Sequence, residues 1–162
     1  MPTKETRFPG AVFVTLLIAI ILTIIPLGEP LSFWRPEWIA LTLVHWALVI
    51  HDRLSLLMAF VVGLVIDTLF GSILGQHALG YVLIAYLSVR LGLRMTPESF
   101  LQQTALLGAV LTLYMLINLW VQGVTSSASG GLLYWASLLS SVIVWPLYHA
   151  LLGYFHVQRK AI

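Results

Sequence analysis

The chain has no cysteine among its 162 residues, which excludes disulfides and thiolate metal or catalytic sites. Charge is nearly as scarce. Asp, Glu, Lys and Arg together make up 9% of the residues, against about 25% in a soluble globular domain, so a soluble fold is excluded on composition. The eight basic residues are scattered at the ends of apolar runs rather than clustered, and they leave no footprint for nucleic acid. No HExxH or GxSxG motif occurs, which removes those two hydrolase signatures. What fills the chain is hydrocarbon: 60% of residues are hydrophobic and the mean hydropathy is +0.99. The composition implies an integral membrane protein. At roughly 20 residues per span, six helices would take about 120 residues, leaving short loops and no room for a soluble catalytic domain.

Apolar runs and their breakers predict six spans, at about residues 11–27, 33–50, 54–70, 77–93, 100–121 and 132–155, in a single all-α membrane domain. The first run is too long for the core of a cleaved signal peptide and has no small-residue cleavage site, so it reads as a retained span ended by Pro26, Gly28 and Pro30. The second enters through the interfacial aromatics Trp34 and Trp38. His51-Asp52-Arg53 reads as a tight helical hairpin. Thr96-Pro97-Glu98 reads as a helix start, with Thr96 as N-cap and Pro97 in the first helical position. Residues 122–131, rich in Ser and Gly, form a loop, and Pro146 predicts a kink in the last span. With six spans the termini share one side, and that side holds Lys4, Arg7, Arg53, Arg90, Arg94, Arg159 and Lys160, against Arg35 alone on the other. The positive-inside rule makes both termini cytoplasmic.

Few residues suggest chemistry. Of the five histidines, His45 and His51 do not share a helix face; His149 and His156 do, but with no carboxylate between them. They read, with His77, as interfacial or hydrogen-bonded residues rather than metal ligands. Asn118 reads as an interhelical hydrogen-bonding residue. The most informative stretch is Gly63 to Gly75, where Gly63, Asp67, Gly71 and Gly75 recur every four residues and would share one helix face. Glycines so spaced let another helix come close, whereas a carboxylate in hydrocarbon needs a partner. In a hairpin turning at Asp52, Asp67 lies at the depth of Glu37, one turn from Arg35; 14 residues past Arg53 at ~1.5 Å each is ~21 Å into a ~30 Å core. This predicts an Arg35–Asp67 pair near the outer face. The competing reading has Asp67 protonated or capped by Thr68 or Ser72, with Arg35 snorkelling outward.

Arg35-Pro36, the Gly63/Asp67/Gly71/Gly75 series and Trp145-Pro146, together with the length and span profile, resemble the bacterial rod shape-determining protein MreD family. Relatives often carry a basic residue after the last glycine; this chain has His77 nearby. The resemblance implies a non-enzymatic, cofactor-free subunit of the cell-elongation machinery in the inner membrane. Its partners would be membrane lipid and MreC, which has one span and a periplasmic domain, and through MreC the MreB filaments, RodA and its penicillin-binding transpeptidase. The glycine face of the third span would be the docking surface. The family is also similar in fold to the substrate-capture subunits of energy-coupling-factor vitamin transporters. That likeness implies the alternative, a small-molecule-capture subunit in which Asp67, Arg35 and Trp38 line a pocket near the outer face. A third reading, an ion or proton channel, rests only on Asp67 and Asn118.

Overall fold

A computed structural model of the chain describes residues 9–29, 31–50, 54–94, 99–124 and 131–158. The described residues form six α-helices and two short 3₁₀ turns, with no strand among them. The helices are α1 (Pro9–Ile24), α2 (Trp38–Ile50), α3 (Leu54–Phe70), α4 (Gln76–Gly92), α5 (Phe100–Val124) and α6 (Ala136–Gln158). The 3₁₀ turns, Leu31–Trp34 and Leu132–Trp135, precede α2 and α6. The expected hairpin at residues 51–53, the Thr96 cap, residues 125–130 of the Ser/Gly loop, and the charged residues Lys4, Arg7, Arg53, Arg159 and Lys160 lie outside the described residues.

Two helical stretches are long and apolar enough to cross a membrane, α5 at 25 residues and Leu132–Tyr154 at 23, which joins the second 3₁₀ turn to α6, while α1 and α3 are apolar but shorter. The second expected span began at residue 33, yet helix starts only at Trp38. Pro36 explains the delay: it offers no N–H and biases the residue before it away from helical dihedrals. Pro146 is accommodated inside α6, where it removes one backbone hydrogen bond, and the adjacent Trp145 is fully buried.

Burial separates the helices by role. An unbroken run from Ile39 to Ala47 is buried in α2, as expected of a helix enclosed by neighbours on all sides. α2 packs on α1, α4 and α6, and α4 lies against α2, α3 and α5. The exterior is apolar, with Leu147, Ile143 and Leu101 exposed on α6 and α5, Leu101 at 79%. Water does not reward such a surface; lipid does. Inside, the helices meet by close approach and by hydrogen bonds between side chains, the contacts that membrane helices use. A Cβ on Gly63 of α3 would stand 2.2 Å from the Ala78 Cα of α4, so the two backbones touch at a small-residue crossing within the chain. Gly80 of α4 meets the Tyr114 ring of α5 in the same way.

Buried polar side chains find partners across helices. The Trp46 indole donates to the Thr15 hydroxyl at 2.9 Å, and the Thr42 and Tyr148 hydroxyls are 2.7 Å apart. His45 of α2 and His149 of α6 face each other, Nδ1 to Nδ1, at 3.0 Å. That bond requires one imidazole to carry its proton on Nδ1 and the other to accept there. Sequence spacing compared each histidine only with neighbours on its own helix and so missed this pair.

Candidate functional site

α1, α3 and α5 end, and α2, α4 and α6 begin, at one end of the bundle. Besides the exposed Glu29, two carboxylates occupy this end, and their surroundings are opposite.

Asp67 sits in the last turn of α3, 1% exposed. α3 stops at Phe70 because Gly71 adopts a left-handed conformation, φ 62°, and the Ser72 amide turns back to the Asp67 carbonyl at 3.1 Å, a Schellman closure. Gly75, φ 100°, is the residue from which α4 starts. The tight turn aims the first amides of α4 at the Asp67 carboxylate. Gly75 N–H donates to Oδ2 at 2.8 Å, His77 N–H to Oδ1 at 2.9 Å, and Ala78 N–H to Oδ2 at 3.4 Å. The Ser72 hydroxyl and His77 Nδ1 each reach Oδ1 at 2.8 Å. A carboxylate in hydrocarbon costs several kcal/mol, but charge-assisted hydrogen bonds contribute about 1.5–3 kcal/mol each, and five donors outweigh the cost. Asp67 thus caps α4 with a charge placed at the positive end of its dipole.

This arrangement corrects three expectations. The glycines do not share one helix face: Gly63 lies in α3, whereas Gly71 and Gly75 supply the two positive-φ positions of the turn that follows. Of the two hydroxyls expected to cap Asp67, Ser72 does so and Thr68 bonds the Val65 carbonyl instead. The Arg35–Asp67 pair does not form. Arg35 turns to α1, donating from Nη1 to the Thr23 carbonyl and from Nη2 to the Ile25 carbonyl at 2.6 Å. Helix C-terminal carbonyls lack intrahelical donors and carry the negative end of the dipole, so a guanidinium is well matched to them. Equal depth fixes height in the bilayer but not direction around the helix, and α1 lies on that side of Arg35.

Glu37, just before α2, has the other kind of environment. Its amide donates to Ser141 Oγ at 2.9 Å, but among the described residues its carboxylate has no hydrogen bond and no salt bridge. It borders a cavity of about 640 Å³ lined by the other five helices and by the segment that leads into α2. Thr23, Arg35, Gln76, His77, Tyr81, Tyr114, Asn118, Gln122 and Tyr134 contribute polar groups to the wall, and Phe33, Pro36, Ile66 and Phe70 apolar ones. Gln76 Nε2 donates to Asn118 Oδ1 at 2.9 Å across α4 and α5, the interhelical bond expected of Asn118. The Tyr81 and Tyr114 rings stack with centroids 5.4 Å apart. Of the residues expected to line a pocket here, Arg35 does; Asp67 and Trp38 are not among its lining residues, and Trp38 packs on Tyr148 instead. Trp145 and Pro146 lie away from it in the middle of α6. The sequence signal for the cavity was present but dispersed: tyrosine, glutamine and glutamate at the apolar runs' ends on one side.

Acyl-transfer chemistry is not built here. His77 donates Nδ1–H to Asp67, as the histidine of a hydrolytic triad does, but Ser72 lies against that same Nδ1, at 3.2 Å, and not against Nε2. No group of three or more His, Asp or Glu residues able to hold a metal occurs among the described residues.

A family model described as rod shape-determining protein MreD matches residues 5–157 of the chain. The Rod shape-determining protein MreD of Haemophilus influenzae is 29% identical over 148 residues, covering 88% of this chain and 90% of that protein. No solved structure matches the chain.

Proposed function

Since the chain belongs to the rod shape-determining MreD family, with the family match covering nearly its whole length, we propose that it is a non-enzymatic scaffold of the cell-elongation machinery. It sits in the inner membrane as six spans with cytoplasmic termini, binds MreC, and through MreC supports lateral peptidoglycan synthesis by RodA and its transpeptidase. The observation that carries this reading is the family match across a chain whose described residues are almost entirely apolar helices. The surfaces left for partners are therefore helix flanks and the turns between helices.

The α3–α4 turn is our candidate contact. Gly71 and Gly75 have open space where a side chain would stand, and the turn holds out Ile73 and Leu74, 54% and 70% exposed. In the six-span topology it lies at the outer face, where MreC passes from its span to its periplasmic domain. Depletion of the protein is expected to round rod-shaped cells, and MreC is expected to co-purify with it from the host membrane. Leu74→Lys is expected to reduce MreC recovery several-fold while leaving the melting profile unchanged. Cells that stay rod-shaped on depletion, or a membrane extract in which MreC never accompanies the chain, would contradict the scaffold reading. The cavity favours a second reading, a small-molecule-capture subunit with the fold of the energy-coupling-factor proteins, which predicts a ligand and no protein partner.

A further inference from the structure

Glu37 and the cavity beside it have no part in the scaffold reading, and their chemistry is specific. A carboxylate among apolar helices is costly unless water or a cation meets it. The Arg35 guanidinium acts on Glu37 electrostatically, but no cation among the described residues comes within salt-bridge distance of the carboxylate. The two terminal guanidinium nitrogens of Arg35 are held by the carbonyls of α1, and His77 Nδ1 is held by Asp67. The Gln76 and Asn118 amides bond each other. Glu37, Tyr81, Tyr114 and Tyr134 line this same cavity, so the carboxylate and the tyrosine rings share its wall. A negative group beside aromatic rings is a setting that attracts organic cations. The volume, about 640 Å³, lies in the range of small-ligand pockets. A divalent metal is a poor occupant, since no second carboxylate or imidazole cluster accompanies Glu37 among the described residues.

We propose that this cavity is a binding site for a small compound carrying a primary ammonium group, with the Glu37 carboxylate as its counter-ion. The ammonium lies against Glu37 and the tyrosine rings, and the rest of the molecule occupies the polar wall formed by Gln76, Asn118 and Ser137. Two sources present this chemistry, a free amine and the ethanolamine headgroup of a phospholipid. The site is independent of MreC, so either claim can fail alone.

Isothermal titration of the full chain purified in a non-ionic detergent tests the site. The probes are 1,4-diaminobutane for a free amine, dihexanoyl-phosphatidylethanolamine for the headgroup, and glutarate as an anion of similar length. The expected result is saturable binding of one of the amine probes and none of glutarate. Binding of the diamine identifies a free-amine site, and binding of the lipid alone identifies a headgroup site; both support ammonium recognition. Glu37→Gln is expected to weaken that binding at least tenfold, Glu37→Asp to retain more of it, and Glu29→Gln on the exposed α1–α2 connection to change nothing. Failure of both amine probes, glutarate binding as tightly as they do, or undiminished binding to a folded Glu37→Gln protein would overturn the proposal. The glutarate comparison needs no variant and holds even if Glu37→Gln does not fold.

Discussion

Asp67 and Glu37 are two carboxylates at the same end of one bundle, and the protein uses them in opposite ways. Asp67 is enclosed and saturated: three amides, a hydroxyl and an imidazole converge on its two oxygens. Among the described residues the Glu37 carboxylate has no hydrogen bond or salt bridge, only the electrostatic pull of Arg35, and it borders an open volume. Each costs free energy to bury, but only for Asp67 does the chain itself return more than that cost. A carboxylate satisfied by backbone amides joins two helices; one left waiting marks a place where something from outside belongs.

Substitutions should separate the two roles sharply. Asp67→Ala strips the α4 N-terminus of its cap and leaves five donors facing a void, and is expected to cost about 3–5 kcal/mol, read as unfolding in mixed micelles. Gly63→Ala pushes a methyl into the α4 backbone at Ala78 and should cost about 1–3 kcal/mol by the same measurement. Gly75→Ala meets no neighbour but must hold φ 100°, so its cost is backbone strain alone, about 1–2 kcal/mol. Glu37→Gln should not destabilise the fold and should raise its stability slightly, since no hydrogen bond within the described residues depends on the charge and its removal relieves a burial cost. An equal loss from Asp67→Ala and Glu37→Gln would erase the distinction between them.

Helices were legible from apolar runs and breakers. The third span, expected at 54–70, is α3 at those same residues, and the fourth, expected at 77–93, is displaced by one. That Asn118 bonds across helices followed from a lone amide in an apolar helix, but its partner Gln76 did not. Of the partners of Asp67, Ser72 was among the caps expected, but the three amides were not, because backbone amides leave no mark in a sequence, whereas Arg35 stands out as a cation. Nor did the true role of the glycines: a spacing of four fits a helix face, and only the termination at Phe70 shows that Gly71 and Gly75 serve the turn. The cavity was hidden for another reason. Its wall is assembled from helix ends far apart in the chain, and a void has no residue of its own.

The most direct test of the contrast is carboxylate labelling of the folded protein in detergent with a water-soluble carbodiimide and glycinamide, read residue by residue by mass spectrometry. The account predicts that Glu37 is modified while Asp67, whose side chain is fully enclosed, stays unlabelled until the protein unfolds. Labelling of Asp67 in the folded state together with protection of Glu37 would contradict it.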